Sequence, residues 1–346
     1  MSREDWINEQ VDKELIPGMM EFLKIPNQSP NFDPNWNKNG LLTKVAKTTM
    51  EWVMKMGLEN LSIEVVDLPN RTPLLFGVID TPSPLANIMI YGHLDKQPPG
   101  SGWAEGLGPY TPVLKDGFLY GRGSSDDGFA IFSTVLMIKA LQREKALKHR
   151  VVLFFETGEE SGSPDIEFHL LSLKDQIRTP DMIWVLDCGV HDHDRIYLCT
   201  SLRGLVNVHV TVTTLKASLH SGSFGGLVPD PFRVFRKLMN DLEDVYTASL
   251  AEEMSVAIPT ERYAEIEELL TEFGGKYERK YPWKDKTKPM ASEGWQLIQN
   301  RTWKPILAVI GQNGLPTCSQ SSNLIHDKLT FKISIRLPPT LDPENA

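Results

Sequence analysis

Cysteine is scarce: Cys188, Cys199 and Cys318 are the only three in a chain of 346 residues. Three is too few, and the wrong parity, for a disulfide framework, so a reducing, cytoplasmic setting is expected. Basic residues are outnumbered, 36 Lys and Arg against 45 Asp and Glu, which gives a net charge of −9. With no basic block, neither nucleic acid nor an anionic membrane is an expected partner. No apolar run approaches the roughly 20 residues of a membrane span. The start, Met1-Ser2-Arg3-Glu4-Asp5-Trp6, has no apolar signal region. Internal repeats and low-complexity tracts are lacking. A Gly-x-Ser-x-Gly elbow is also missing, which leaves a serine hydrolase without support. The Gly121-x-Gly123 turn lacks both the third glycine of a dinucleotide site and the lysine of a phosphate loop.

What is present is a chain rich enough in apolar residues, 41%, to bury a sizeable core, and long enough for two domains. Helical spacing predicts helices over 4–24 and about 40–57, separated by a loop from Pro26 to Pro34. Strands are expected at 61–66 and 73–79. Three short apolar runs, Asn87–Tyr91, Val151–Phe155 and Met182–Leu186, read as buried strands of a parallel sheet. Helices between them, at Phe129–Leu141 and within 163–178, give doubly wound α/β architecture. After about residue 200 the texture changes. Val206, Val208, Val210 and Val212 alternate, as do Leu329, Phe331, Ile333 and Ile335, with helices expected at 231–250 and 260–273 and a loop over 276–304. The expected division is 1–200 and 201–346, the second domain being α+β.

In open α/β sheets, ligands bind beyond the carboxyl ends of the strands. Each short strand ends in residues able to hold a metal: Gly92-His93-Leu94-Asp95, then Glu156-Thr157-Gly158-Glu159-Glu160, then Asp187. Between the first two, Ser124-Ser125-Asp126-Asp127-Gly128 stands where a helix begins. One His and several carboxylates on one sheet edge repel unless cations neutralise them, and N and O donors suit divalent ions such as Zn or Mn. Each piece alone has an ordinary alternative. His-x-Asp is commonly a structural pair, Asp126-Asp127 could cap a helix, and Glu159-Glu160 could be a solvated loop. Their joint placement favours a metal site. The run His191-Asp192-His193-Asp194 is a rival, but adjacent residues cannot all face one ion.

These motifs, with His220-Ser221-Gly222-Ser223-Phe224-Gly225-Gly226, resemble the co-catalytic metallopeptidase family that includes cytosolic non-specific dipeptidase, carnosinase, glutamate carboxypeptidase, acetylornithine deacetylase and aminoacylase. Order and intervals fit along essentially the whole chain, and Gly92-His93-Leu94-Asp95-Lys96-Gln97-Pro98 is closest to the dipeptidase branch. The resemblance implies a zinc-exopeptidase-like catalytic domain with a mostly parallel sheet, plus an inserted α+β lid and dimerisation domain. It implies two divalent ions, Zn or Mn, bridged by Asp126. His93 and Asp187 would complete one ion and Glu160 would hold the other, with Asp95 orienting His93. Glu159 would be the general base toward the attacking water. His220, Asn323 and Arg336 would bind substrate, His220 reaching across a homodimer and Arg336 gripping a terminal carboxylate.

Two departures accompany the resemblance. Gly128 stands directly after the Asp pair, where the family has a lysine. Family members also continue past the point where this sequence stops and carry a last His ligand there. The sequence therefore reads as a member truncated near the end of its second domain, whose second ion is short of one ligand. The implied activity is hydrolysis of amide bonds in small substrates, dipeptides foremost. N-acyl amino acid deacylation, or service as an inactive binding or dimerisation module, are the alternatives left open by sequence.

Overall fold

In the computed structural model, the described residues are 2–190, 195–273, 281, 283–291, 294–342 and 344. Contacts divide the chain into two units, Met1–Tyr197 and Leu198–Ala346. The His191–Asp194 run lies outside the described residues.

The first unit contains strands β1 (Leu61–Val66), β2 (Leu74–Ile79), β3 (Asn87–His93), β4 (Val113–Lys115), β5 (Phe118–Tyr120), β6 (Arg150–Glu156) and β7 (Met182–Val185). Its helices are α1 (Arg3–Gln10), α2 (Ile16–Leu23), α3 (Trp36–Asn39), α4 (Leu41–Lys55), α5 (Phe129–Arg143), α6 (Ile166–Ser172) and α7 (Lys174–Ile177). The expected 4–24 helix is α1 and α2 joined through one wider, π-type turn at Val11–Leu15. Five strands form one sheet in the order β1-β2-β6-β3-β7. β6, β3 and β7 are mutually parallel, and β2 runs against both its neighbours. Four of the five strands thus point the same way, the mostly parallel sheet expected.

Period-two alternation sends the side chains of one strand into two cores. Leu75 and Ile79 of β2 join Leu153 and Phe155 of β6 under α2, α4 and α5. Leu74, Phe76 and Val78 join Val152 and Phe154 on the opposite face, against Leu173 and Ile177. Burial on both faces explains why β6, Arg-Val-Val-Leu-Phe-Phe-Glu, is buried along its whole length. α4 presents Leu42, Val45, Ala46, Thr49 and Val53, the stripe that a 3.6-residue period puts on one side. Each fully buried Leu or Phe here contributes about 1.5–3 kcal/mol over its exposed state.

β7 corrects an expectation. Met182, Ile183, Trp184 and Val185 are 39–55% exposed, not buried. Among the described residues, the strand lies at the end of the sheet and pairs on one side only, to β3. Among the described residues, no helix is long and apolar enough to cross a membrane.

The second unit contains β8 (Gly204–Thr213), β9 (Leu219–His220), β10 (Ile306–Asn313), β11 (Leu324–Ile325) and β12 (Lys328–Leu337), with helices α8 (Ser221–Phe224), α9 (Pro231–Leu242), α10 (Thr260–Phe273) and α11 (Gly294–Thr302). An antiparallel sheet runs β10-β12-β8. Leu329, Phe331, Ile333, Ile335 and Leu337 share its covered face, where Phe331 stacks on Phe235 of α9 with ring centroids 3.7 Å apart. A smaller cluster of Ile266, Ile298 and Trp303 joins α10 to α11. The expected loop over 276–304 therefore contains a helix, and the expected helix at 231–250 ends at Leu242.

Candidate metal centre

Parallel pairing assembles the centre. β3 and β6 run in register, with His93 opposite Glu156, so the chain leaves both strands at one edge. β7, parallel to β3, delivers Asp187 to the same edge. The turn before α5 brings Asp126 alongside; the Asp126–Asp127 peptide bond is cis. Neither aspartate caps that helix, whose N-cap is Gly128 without a side-chain hydrogen bond.

His93 is fully buried, and carboxylates surround its ring. Its Nε2 lies 3.1 Å from Asp126 Oδ1, 3.8 Å from Asp187 Oδ2 and 3.9 Å from Glu159 Oε2. Its Nδ1 lies 3.4 Å from Asp95 Oδ1. Asp95, also fully buried, accepts the backbone N–H of Glu159 at 3.2 Å and of Glu160 at 3.1 Å. Asp95 thus adjoins the imidazole and the acidic turn together. Two groups of donor atoms lie within 4.8 Å of one another: His93 with Glu159 and Asp187, and His93 with Asp126 and Glu160. Asp126 falls in one group and His93 in both, and Glu159, expected as a base, stands at ligand range.

The electrostatics fit a cationic guest. Burial raises the carboxyls of Glu159 and Asp187. Burial, with the Asp126 and Glu159 charges, pushes Glu160 up to about 7 against the Gln97 hydrogen bond. Burial likewise carries Asp127 up to about 8, despite His93 nearby. For His93, burial favours the neutral ring. The hydrogen bonds with Asp126 and Asp95 and the charges of Asp95 and Asp127 outweigh it and push the ring up to about 12. The hydrogen bond with His93 holds Asp126 below its ordinary value, but the other carboxyls, raised by burial beside one imidazole, are short of positive charge. Glu160 Oε1 is buried with no hydrogen-bond partner. One nitrogen and several carboxylate oxygens are the donors that divalent ions of the Zn and Mn kind accept, so the residues present fit such ions.

Several contributors escaped the sequence reading. Asp127 Oδ2 accepts the His93 backbone N–H at 3.1 Å. A Cβ on Gly92 would stand 2.6 Å from that same oxygen, so the strand can approach Asp127 only as glycine. Gln97 donates to Glu160. Glu156 accepts from Tyr91 at 2.6 Å and from Ser163 at 2.7 Å. Gln97 lies two positions past Asp95 in one loop, a signal legible in the sequence; Asp127 looks there like no more than half of an acidic pair.

His220, Asn323 and Arg336 belong to the second unit. β9 and β11 set His220 opposite Leu324, and the Asn323 carbonyl accepts the Ser221 N–H at 2.9 Å. His220 Nδ1 accepts the Gly222 N–H at 3.1 Å, which in the neutral ring leaves the proton on Nε2. Arg336 is exposed on β12, opposite Leu205 and Ile306.

Comparison with known proteins agrees with this architecture. The model of peptidase family M20/M25/M40 matches residues 89–327. A mouse Beta-Ala-His dipeptidase is 26% identical over 310 residues, covering 83% of this chain and 60% of the relative. The Cys-Gly metallodipeptidase dug1 of Schizosaccharomyces pombe is 27% identical over 306 residues, covering 84% and 61%. The chain thus spans about six tenths of the length of these relatives. The crystal structure of human carnosine dipeptidase 1 superposes with a TM-score of 0.76 at 22% identity, over 98% of this chain and 72% of that one. Dug1p from Saccharomyces cerevisiae gives 0.75 at 22%, over 98% and 72%. These two share the fold.

Proposed function

The chain belongs to peptidase family M20/M25/M40, and from that premise we propose that it is a metal-dependent hydrolase of small amide substrates, dipeptides foremost. The observation that carries the reading is the convergence of His93, Asp126, Glu159, Glu160 and Asp187 within two interlocked donor groups. The dipeptidase names of the mouse and fission-yeast relatives support the substrate class.

His93, Asp126, Glu160 and Asp187 would hold two divalent ions, Zn or Mn. Ions there supply Lewis acidity, polarising a scissile carbonyl and acidifying the attacking water. Glu159 takes that water's proton and returns it to the leaving amine. Burial raises its carboxyl, which brings it closer to the neutral range where a base both accepts and releases a proton readily. Asp95 fixes the His93 ring and, through two backbone amides, the turn that carries the base. Asp127 holds the His93 main chain.

In the second unit, His220 is assigned to the developing oxyanion, since its Nε2 carries the donor proton when Nδ1 accepts from Gly222. Asn323 is assigned to substrate and Arg336 to its carboxylate. A homodimer through this unit is part of the reading, supported by the exposed Leu205, Val206 and Val208 of β8. The odd cysteine count supports a cytoplasmic setting.

The test is a hydrolysis panel of dipeptides and N-acyl amino acids, run before and after removal of metal by a chelator and after Mn2+ or Zn2+ is restored. Cleavage of dipeptides that disappears with the metal and returns with it is expected. Turnover that persists without metal, or is confined to N-acyl amino acids, overturns the assignment.

A further inference from the structure

The turn that carries Glu159 and Glu160 is flanked by glycine on both sides, Gly158 before it and Gly162, at φ +84°, after it. Glycine flanks leave a short turn free to swing, so its position must be imposed from outside. Asp95 imposes part of it. Gln97, which donates to Glu160, imposes another part, and a segment that contributes no ligand, residues 25–31 between α2 and α3, adds to both.

That segment is stitched to both metal-bearing loops. On the His93 side, Asn27 Nδ2 donates to the Leu94 carbonyl at 2.8 Å, and the Ser29 N–H donates to the Lys96 carbonyl at 3.0 Å. The Lys96 ammonium donates back to the carbonyls of Phe22 at 2.9 Å and Ile25 at 2.7 Å. On the Glu160 side, Ser29 Oγ and Ser161 Oγ share a hydrogen bond of 2.6 Å, and Ser161 Oγ also accepts the Asn31 N–H at 2.8 Å. Asn27, Ser29 and Lys96 are each fully buried. The Asn27 and Lys96 bonds are sealed from water and so hold their geometry well, while the Ser29–Ser161 bond is partly buried. Ser29 is the residue in contact with both sides: its amide grips the loop after His93, and its hydroxyl grips the residue after Glu160.

We propose that Ser29 is a positioning residue that sets the spacing between His93 and Glu160, and thereby the affinity of the ion that Glu160 holds. The inference rests on the reading of Glu160 as a ligand. A carboxylate on a turn released from its anchor must be re-ordered each time an ion binds, so affinity falls without the loss of any ligand atom.

The experiment titrates the 346-residue chain with Mn2+, following free ion by electron paramagnetic resonance, in the parent and in Glu160→Gln, Ser29→Ala, Ser161→Ala and the double serine variant. Glu160→Gln identifies the binding step that depends on Glu160. Ser29→Ala is expected to weaken that step about tenfold and leave the other unchanged. In the Ser161→Ala background, adding Ser29→Ala should have no further effect, because the shared hydrogen bond is already gone. Unchanged affinity in Ser29→Ala, equal weakening of both steps, or additive serine effects would overturn the proposal while leaving Glu160 as a ligand. Mn2+ binding unaltered in Glu160→Gln would instead remove the ligand reading, and this inference with it. Should Ser29→Ala fail to fold by circular dichroism, Ser161→Ala, which removes the hydroxyl pair together with the acceptor of the Asn31 N–H, is read instead, and unchanged affinity of the Glu160-dependent step there overturns the proposal.

Discussion

Asp95 Oδ2 accepts the backbone N–H of Glu160 at 3.1 Å, while the other oxygen of the same carboxylate accepts that of Glu159 and lies 3.4 Å from His93 Nδ1. One buried carboxylate therefore connects the imidazole at the end of β3 to the acidic turn after β6. Asp95→Asn keeps the shape but turns an NH2 group toward donors. An unmatched buried donor costs about 1–3 kcal/mol. Metal affinity should drop about 10–100-fold, the usual effect of disturbing the group behind a ligand. Isothermal titration with Mn2+ measures it; affinity equal to the parent would show that His93 and the turn are held by other contacts.

Asp126 lies 3.1 Å from His93 Nε2 and is grouped with Glu160, so its loss touches more of the centre than the loss of Glu160 does. Asp126→Ala should strip more metal per chain than Glu160→Ala, and His93→Ala, whose ring belongs to both donor groups, should strip at least as much as Asp126→Ala. Elemental analysis of the purified variants in one buffer tests this. Parent-like metal content in Asp126→Ala would take Asp126 out of the ligand set.

Glu159 separates binding from chemistry. Glu159→Gln should retain its metal and lose turnover by about 10²–10⁴-fold, the range for removal of a general base. Loss of metal in step with activity would mark Glu159 as a ligand, the role its place beside His93 and Asp187 would then require.

Free of divalent ions, the protein should become less stable as pH rises from 5 to 7. Glu160, raised to about 7, and Asp127, raised to about 8, bind more protons folded than unfolded over that range. Their contribution is fully present below their ordinary values near 4 and is lost as pH climbs through the folded ones. His93, also raised, adds in the same direction above its ordinary value. Melting temperature against pH should fall in the metal-free protein. Saturating Mn2+, which replaces those protons, should flatten or reverse the slope. A rising melting temperature in the metal-free protein would contradict the crowding of negative charge.

Much of the first unit is legible in the sequence, because burial on two faces writes itself as short unbroken apolar runs: the observed Asn87–His93 and Arg150–Glu156 extend the expected Asn87–Tyr91 and Val151–Phe155 by only a residue or two. The same cue misleads at Met182–Val185, since an apolar strand reads alike whether or not it is covered. The β4–β5 hairpin, absent from the sequence expectations, turns at Asp116-Gly117 with both residues at positive φ, a geometry that Asp-Gly favours. The ligand candidates are legible because strand ends concentrate them. Ser29, Asn27 and Lys96 are not, because a buried serine or lysine in a loop has no periodicity, and only the fold reveals what it touches.

The strand order also imposes a chronology. β6 lies between β2 and β3, yet it is made after both, so β2 has only β1 beside it, and β3 has no sheet neighbour, until residues 150–156 have been synthesised. Closing such long loops is slow compared with helix formation. On an emerging chain, α1 to α4 can collapse early, while His93 waits for the strand that leads into Glu159 and Glu160. On a nascent chain, therefore, His93 meets the acidic turn of Glu159 and Glu160 only once the sheet exists.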